Sequence, residues 1–188
     1  MISLRQLGFR LALPGLVMAL ATGCTPAEVI PQEEPVIIWV SGAEPGEPTP
    51  AIGLYRNYAI EAAGMGFSRR NLASLETATL TARFPLNGPQ QRFEGPALST
   101  VLAAAGRPGA GARLTALDGY QIEISASMIA DHTPLLAISR DAAPLATGGY
   151  GPSMLVWPRD DDPRLSTMND DLWIWGVFVI EAIDPAAE

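Results

Sequence analysis

Apolar and polar positions along this chain follow two different periods, and the switching between them predicts a strand-rich domain with a few short helices. Val36-Ile37-Ile38-Trp39-Val40 is a short apolar run closed by Ser41-Gly42 and reads as a strand. Pro45, Gly46, Pro48 and Pro50 make Gly42 to Pro50 a loop. Tyr55 to Gly66 shows no clear period. From Phe67 the pattern sharpens. Ser68 is placed to cap a short helix over Arg69 to Leu75, with Leu72 and Leu75 facing inward. Thr77 to Phe84 alternates as a strand, Asn87-Gly88 marks a turn, and Gln91 to Phe93 returns as a second arm.

Gly95-Pro96 opens the best helical pattern, with Leu98, Val101, Leu102 and Ala105 on one face and Gly106 and Pro108 ending it. Arg113 to Leu117 and Tyr120 to Ser125 flank Asp118-Gly119, which predicts a hairpin with a type I′ turn. In the second arm Tyr120, Ile122 and Ile124 share one face, and Gln121, Glu123 and Ser125 the other. Ala126 to Asp131 fits one helical turn. Pro134 to Ser139 is a strand turned by Asp141 to Pro144, and Gly148 to Pro152 is a glycine-rich loop feeding a strand over Ser153 to Trp157. Pro158 to Asp171 is polar and acidic and reads as an exposed loop. Leu172 to Ile183 is a long, nearly all-apolar strand, expected to be buried on both faces, with Gly176 marking a bulge. The expected fold class is α+β: a mixed, mostly antiparallel domain of about six to eight strands with two or three short helices.

The first residues follow another logic. Arg5 and Arg10 precede an apolar run from Leu11 to Leu20, then come Ala21-Thr22-Gly23 and Cys24, the sole cysteine. This is the layout of a secretory signal peptide. A cysteine directly after small residues resembles a bacterial lipoprotein box, which implies that Cys24 carries lipid and becomes the new N-terminus. The expected organisation is a signal peptide over 1–23, a lipidated tether over 24–34 and one folded domain over 35–188. The apolar run is too short to span a bilayer, which takes about 20 residues. The expected location is extracytoplasmic, lipid-anchored on the inner or outer membrane, with Thr25 after the lipidated position leaning to the outer one. A thiol committed to lipid is neither nucleophile, disulfide partner nor metal ligand.

Charge narrows the partners. The net charge is −8, and all 12 basic residues are Arg. A strongly acidic surface disfavours nucleic acid and anionic head groups.

Chemical motifs are sparse. Gly151-Pro152-Ser153-Met154-Leu155 begins like a nucleophile elbow but lacks the last glycine, and His132, the lone histidine, is the available base. His132 itself reads as a surface residue. Asp160-Asp161-Asp162 and Asn169-Asp170-Asp171 lack the calcium-loop spacing and read as a solvated loop. A zinc site needs several Cys or His ligands, more than this chain offers. No glycine-rich stretch matches a nucleotide fingerprint. Arg83, Arg92, Arg140 and Arg159 sit at expected strand ends, either converging on an anion or pairing with surface carboxylates. Trp157, Trp173 and Trp175 read as core first and pocket lining second.

From Phe93 to Ile183 the order of signals resembles one family. Phe93-Glu94-Gly95-Pro96-Ala97-Leu98 with Leu102 to Gly106 is similar to a "W-x-G-v-p-L … L-L … A-G" segment of the sulfite-oxidase-type molybdopterin-binding domain. Asp118-Gly119-Tyr120 resembles its "D-G-Y" hairpin, Leu135-Leu136-Ala137 with Ala143-Pro144-Leu145 its "l-l-A … G-e-P-L", and Gly151-Pro152 with Val156-Trp157-Pro158 its "G-x-P … v-x-P". Trp173 to Ile183 is similar to the closing strand. The resemblance implies a mixed α+β domain holding one pyranopterin, with molybdenum bound by the pterin dithiolene and one protein cysteine. That cysteine falls just after the strand that corresponds to Ala78 to Arg83, where this chain has Thr79-Leu80-Thr81-Ala82-Arg83. Hydroxyl and methyl groups do not replace a soft thiolate. No adjacent arginine pair marks the signal peptide for export of a folded, cofactor-loaded protein. The expectation is therefore a tethered module that binds a small ligand or an envelope protein without catalysis, with no cofactor. Its pocket is expected near Arg83, Tyr120, Arg140 and Trp157. The alternative is a molybdopterin-dependent oxidoreductase with atypical metal ligation.

Overall fold

The computed structural model describes residues 34–44, 46, 63–85 and 88–184. The expected signal peptide, Cys24, nearly all of the expected tether, the 55–62 stretch and Asn87 lie outside the described residues.

Among the described residues, eleven strands and three short α-helices form a mixed, largely antiparallel α+β fold. The last strand, β11 (Trp175–Ile183), organises it. One of its edges pairs with β5 (Gly111–Ala116) over most of its length. The other is shared: β10 (Ser153–Val156) pairs with its first half and β1 (Val36–Ser41) runs parallel to its second. β2 (Gly64–Ser68) flanks β1, β6 (Gln121–Ile124) flanks β5, and β7 (Leu135–Ala137) flanks β10, completing a seven-stranded sheet. Strand β11 is buried on both faces from Gly176 to Ile180, while Trp175 at its start and Glu181 near its end are exposed, so the expectation of a strand from Leu172 buried along its whole length holds only for the middle. Val177 and Ile180 join the main core, while Phe178 and Val179 pack with Trp39 on the other side. Gly176 takes φ +68 beside shifts of register in both neighbouring ladders, as a bulge requires.

A second sheet of four strands holds β3 (Thr77–Arg83), β4 (Gln90–Pro96), β8 (Ser139–Arg140) and β9 (Ala143–Pro144). The sheets touch where β4 crosses β7. A Cβ at Gly95 would stand 2.2 Å from the Leu136 carbonyl oxygen, so only glycine fits there. The helices are α1 (Arg69–Ser74), α2 (Leu98–Ala104) and α3 (Ala126–His132). Leu98, Val101 and Leu102 are buried at the spacing the sequence shows. Ser68 caps α1 as expected, in a capping box closed by Asn71.

Five local expectations change. The segment without a clear period contains the start of strand β2 at Gly64. Pro96 ends β4 opposite Thr77 instead of opening a helix; α2 starts at Leu98 after Ala97, and the Leu98 N–H donates to the Pro134 carbonyl. The Asp118-Gly119 turn is not type I′, because Gly119 alone has positive φ. Leu117-Asp118-Gly119 form a three-residue loop, and Tyr120 lies outside β6 and is exposed rather than on the Ile122–Ile124 face. The type I′ geometry occurs instead at Asp141 (φ 49) and Ala142 (φ 63), between paired Arg140 and Ala143. Pro134 to Ser139 is not one strand: the chain leaves the main sheet after Ala137 and enters the second at Ser139.

The fifth change concerns the acidic stretch. Pro158 to Asp171 holds two 3₁₀ turns, Pro163–Leu165 and Asp170–Leu172, with Leu165 buried. Side-chain caps from Asp162 and Asn169 start them. Arg69, at the start of α1, fixes the opposite flank by donating to the carbonyls of Ile138, Leu145 and Pro152. Burial lowers its pKa, against a rise from Glu34.

Candidate functional site: an aromatic cleft with an acidic rim

The two aspartate groups of the 158–173 segment have different fates. Asp162 is half-buried and fully engaged. Its carboxylate accepts from Arg164 Nε at 2.9 Å and Nη2 at 2.8 Å, from the Arg164 backbone N–H at 3.0 Å, and lies 2.7 Å from His132 Nδ1. Arg164 foremost, and His132 after it, hold this carboxyl far below the usual carboxylate range. Asp160 accepts from the Arg83 backbone N–H. This aspartate run fastens the loop to α3 and β3.

Asp170 and Asp171 face elsewhere. With Asp118 they border a cleft of about 340 Å³ whose walls include Tyr120, Trp173, Ile174 and Trp175. Tyr120 and Trp175 are 45% and 43% exposed, which is unusual for rings of this size. The Tyr120 hydroxyl donates to the Asp171 carbonyl and fixes the ring at the rim. Trp175 meets Tyr150 at 5.9 Å, and Tyr150 meets Phe84 at 5.1 Å, so the aromatic surface continues past the cleft. Trp173 closes the floor. It is 1% exposed, Phe84 and Phe93 pack edge-on to it, and the Arg159 guanidinium lies 5.4 Å from its ring centroid. Arg159 Nη1 pairs with Asp170 at 2.5 Å. The Trp173 indole N–H and Arg159 Nε and Nη2 are buried without a hydrogen-bond partner.

The four residues expected to share a pocket do not do so. Tyr120 lines the cleft. Arg140 lies over the Tyr150 ring at 4.7 Å and borders a separate groove with Pro144 and Gly149. Arg83 ends β3 with its side chain exposed. Trp157 is wholly buried, and its indole N–H donates to the Leu172 carbonyl, so it is core. Sequence reasoning missed Asp118, Asp170 and Asp171 as lining. Their signal, acidic residues set beside Tyr120 and Trp173, reads the same as a solvated loop. Ser153 is fully buried and donates to the Val177 carbonyl, while His132 is committed to Asp162, so the nucleophile-elbow reading fails. His132 is also not a free surface residue: its side chain is 15% exposed.

No family model and no curated protein matches the chain. A solved structure that it resembles is that of the sulfane dehydrogenase SoxCD from Paracoccus pantotrophus, at 15% identity and a TM-score of 0.49. The likeness covers 80% of this chain and 39% of that one. It is a distant relation of fold.

The residues present do not fit a thiolate-held molybdenum. Strand β3 presents Thr79 and Thr81 outward and Ala82 inward, hard oxygens and a methyl where soft sulfur is needed. Among the described residues, no three His, Cys, Asp or Glu side chains come together as a metal-holding group. Among the described residues the cleft is lined by three carboxylates and no basic side chain, which disfavours an anionic group there.

Proposed function

We propose that this chain is a membrane-tethered extracytoplasmic lipoprotein whose folded domain, of sulfite-oxidase molybdopterin-binding-like type, is a non-catalytic binding module with the aromatic cleft as its site. The observation that carries the reading is the meeting of half-exposed Tyr120 and Trp175 around one cleft, since exposed large aromatics mark interaction surfaces. The signal-peptide layout and Cys24 support the anchor. Among the described residues, no helix is long and apolar enough to cross a membrane.

The binding test is a small-molecule screen on the full-length protein in detergent, followed by tryptophan fluorescence. Trp173 and Trp175 report on the cleft, and Trp175→Ala should abolish hits while leaving the fold intact. Hits that persist in Trp175→Ala would sink this site. Metal analysis of protein from its native host tests the non-catalytic reading, which stoichiometric molybdenum would overturn. Acyl labelling lost in Cys24→Ala tests the anchor.

A further inference from the structure

The charge around the cleft names a ligand class. Asp170 is neutralised by Arg159, but among the described residues Asp118 and Asp171 are held only by neutral donors, the Tyr120 N–H and the Asn169 side-chain amide. These hydrogen bonds orient the carboxylates without cancelling their charge. Among the described residues, no arginine or histidine lines the cleft. Ring faces carry negative quadrupole density, so half-exposed Tyr120 and Trp175 act in the same direction as the carboxylates. A hydrated metal ion gains little from such walls, and the carboxylates do not gather into a chelating set among the described residues. An organic cation uses both features: its methyl or methylene groups lie on the rings while its charge faces Asp118 and Asp171.

We propose that the cleft binds an organic ammonium, preferentially a quaternary one. This rests on the reading of the domain as a binding module and deepens it. The test uses the full-length protein in a nonionic detergent, with binding followed by tryptophan fluorescence and calorimetry. Choline is the first probe, and 3,3-dimethylbutan-1-ol is its uncharged isostere. Choline is expected to saturate the cleft and to bind at least about tenfold more tightly than the neutral isostere. Tetramethylammonium, which keeps the charge and the methyl groups, is also expected to bind more tightly than the neutral isostere. Asp118→Asn with Asp171→Asn should remove the preference for choline without moving Tm. Equal binding of choline and its isostere, or tighter binding of benzoate, would overturn the ammonium assignment while leaving the binding-module reading in place. If none of the probes binds, the ammonium assignment also falls, and the Trp175→Ala screen separately decides whether the cleft is a site.

Discussion

Asp160-Asp161-Asp162 and Asn169-Asp170-Asp171 look alike as sequence, yet the first group belongs to the fold and the second borders a cleft. Asp162 has Arg164 and His132 on its two oxygens and is 15% exposed. Among the described residues, Asp171 meets only a neutral amide through its side chain, and it stays exposed. The difference teaches that an acidic run carries information through its partners. Charge that is paired holds elements together, and charge left with neutral donors keeps its field for something outside the chain.

The comparison breaks most easily at Asp162. Asp162→Asn should lower Tm by several degrees and leave cleft binding unchanged, because Arg164 and half-buried His132 lose a charged acceptor. An unchanged Tm would show that the first group is merely solvated.

Acid titration sharpens the same point. The Asp162 carboxyl is depressed in the folded protein, so its contribution is present above the unfolded value, about pH 4, and fades as pH falls toward the folded one. Acid melts should show a fall in stability below about pH 4 that is shallower in Asp162→Asn.

Asp170 straddles the two behaviours, since it lines the cleft and pairs with Arg159. Asp170→Asn should cost about 1 kcal/mol in denaturant melts and also change ligand affinity. A change remote from both groups sets the scale. Ala142→Gly relieves a positive φ and should stabilise the domain by about 0.5 kcal/mol. Smallest on the stability scale are Asp118→Asn and Asp171→Asn, each expected within about 0.5 kcal/mol of the parent. A larger loss would place them with Asp162.

Legibility in the sequence followed the range of the forces involved. The middle of strand β11 was readable because burial on both faces leaves the apolar run Val177 to Ile180, and Gly176 was readable because a bulge takes up positive φ. Helix α2 was readable from the spacing of Leu98, Val101 and Leu102, although its start was not. Pro96 belongs to β4 because Thr77 lies opposite it, a pairing no local propensity encodes. The I′ turn moved for a related reason. Asp118-Gly119 has the better residues, but the pairing of Arg140 with Ala143 forces Asp141 and Ala142 into the left-handed region. Of the candidate site, Tyr120 was legible and Trp173 and Trp175 half so, as aromatics that are core or lining. Trp157 was misplaced because its neighbours in sequence do not reveal that the Leu172 carbonyl covers its polar edge.

By itself the sequence determined the α+β class, the order of most elements and the absence of a thiol from the stretch that becomes β3. These follow from periodicity and from residue identity, which are local. The tertiary structure alone decided which aspartates are spent on pairing and which border a cleft, and which tryptophan stays exposed. Partners such as His132 with Asp162, or Tyr120 with Asp171, lie tens of residues apart, and only folding brings them within hydrogen-bond range.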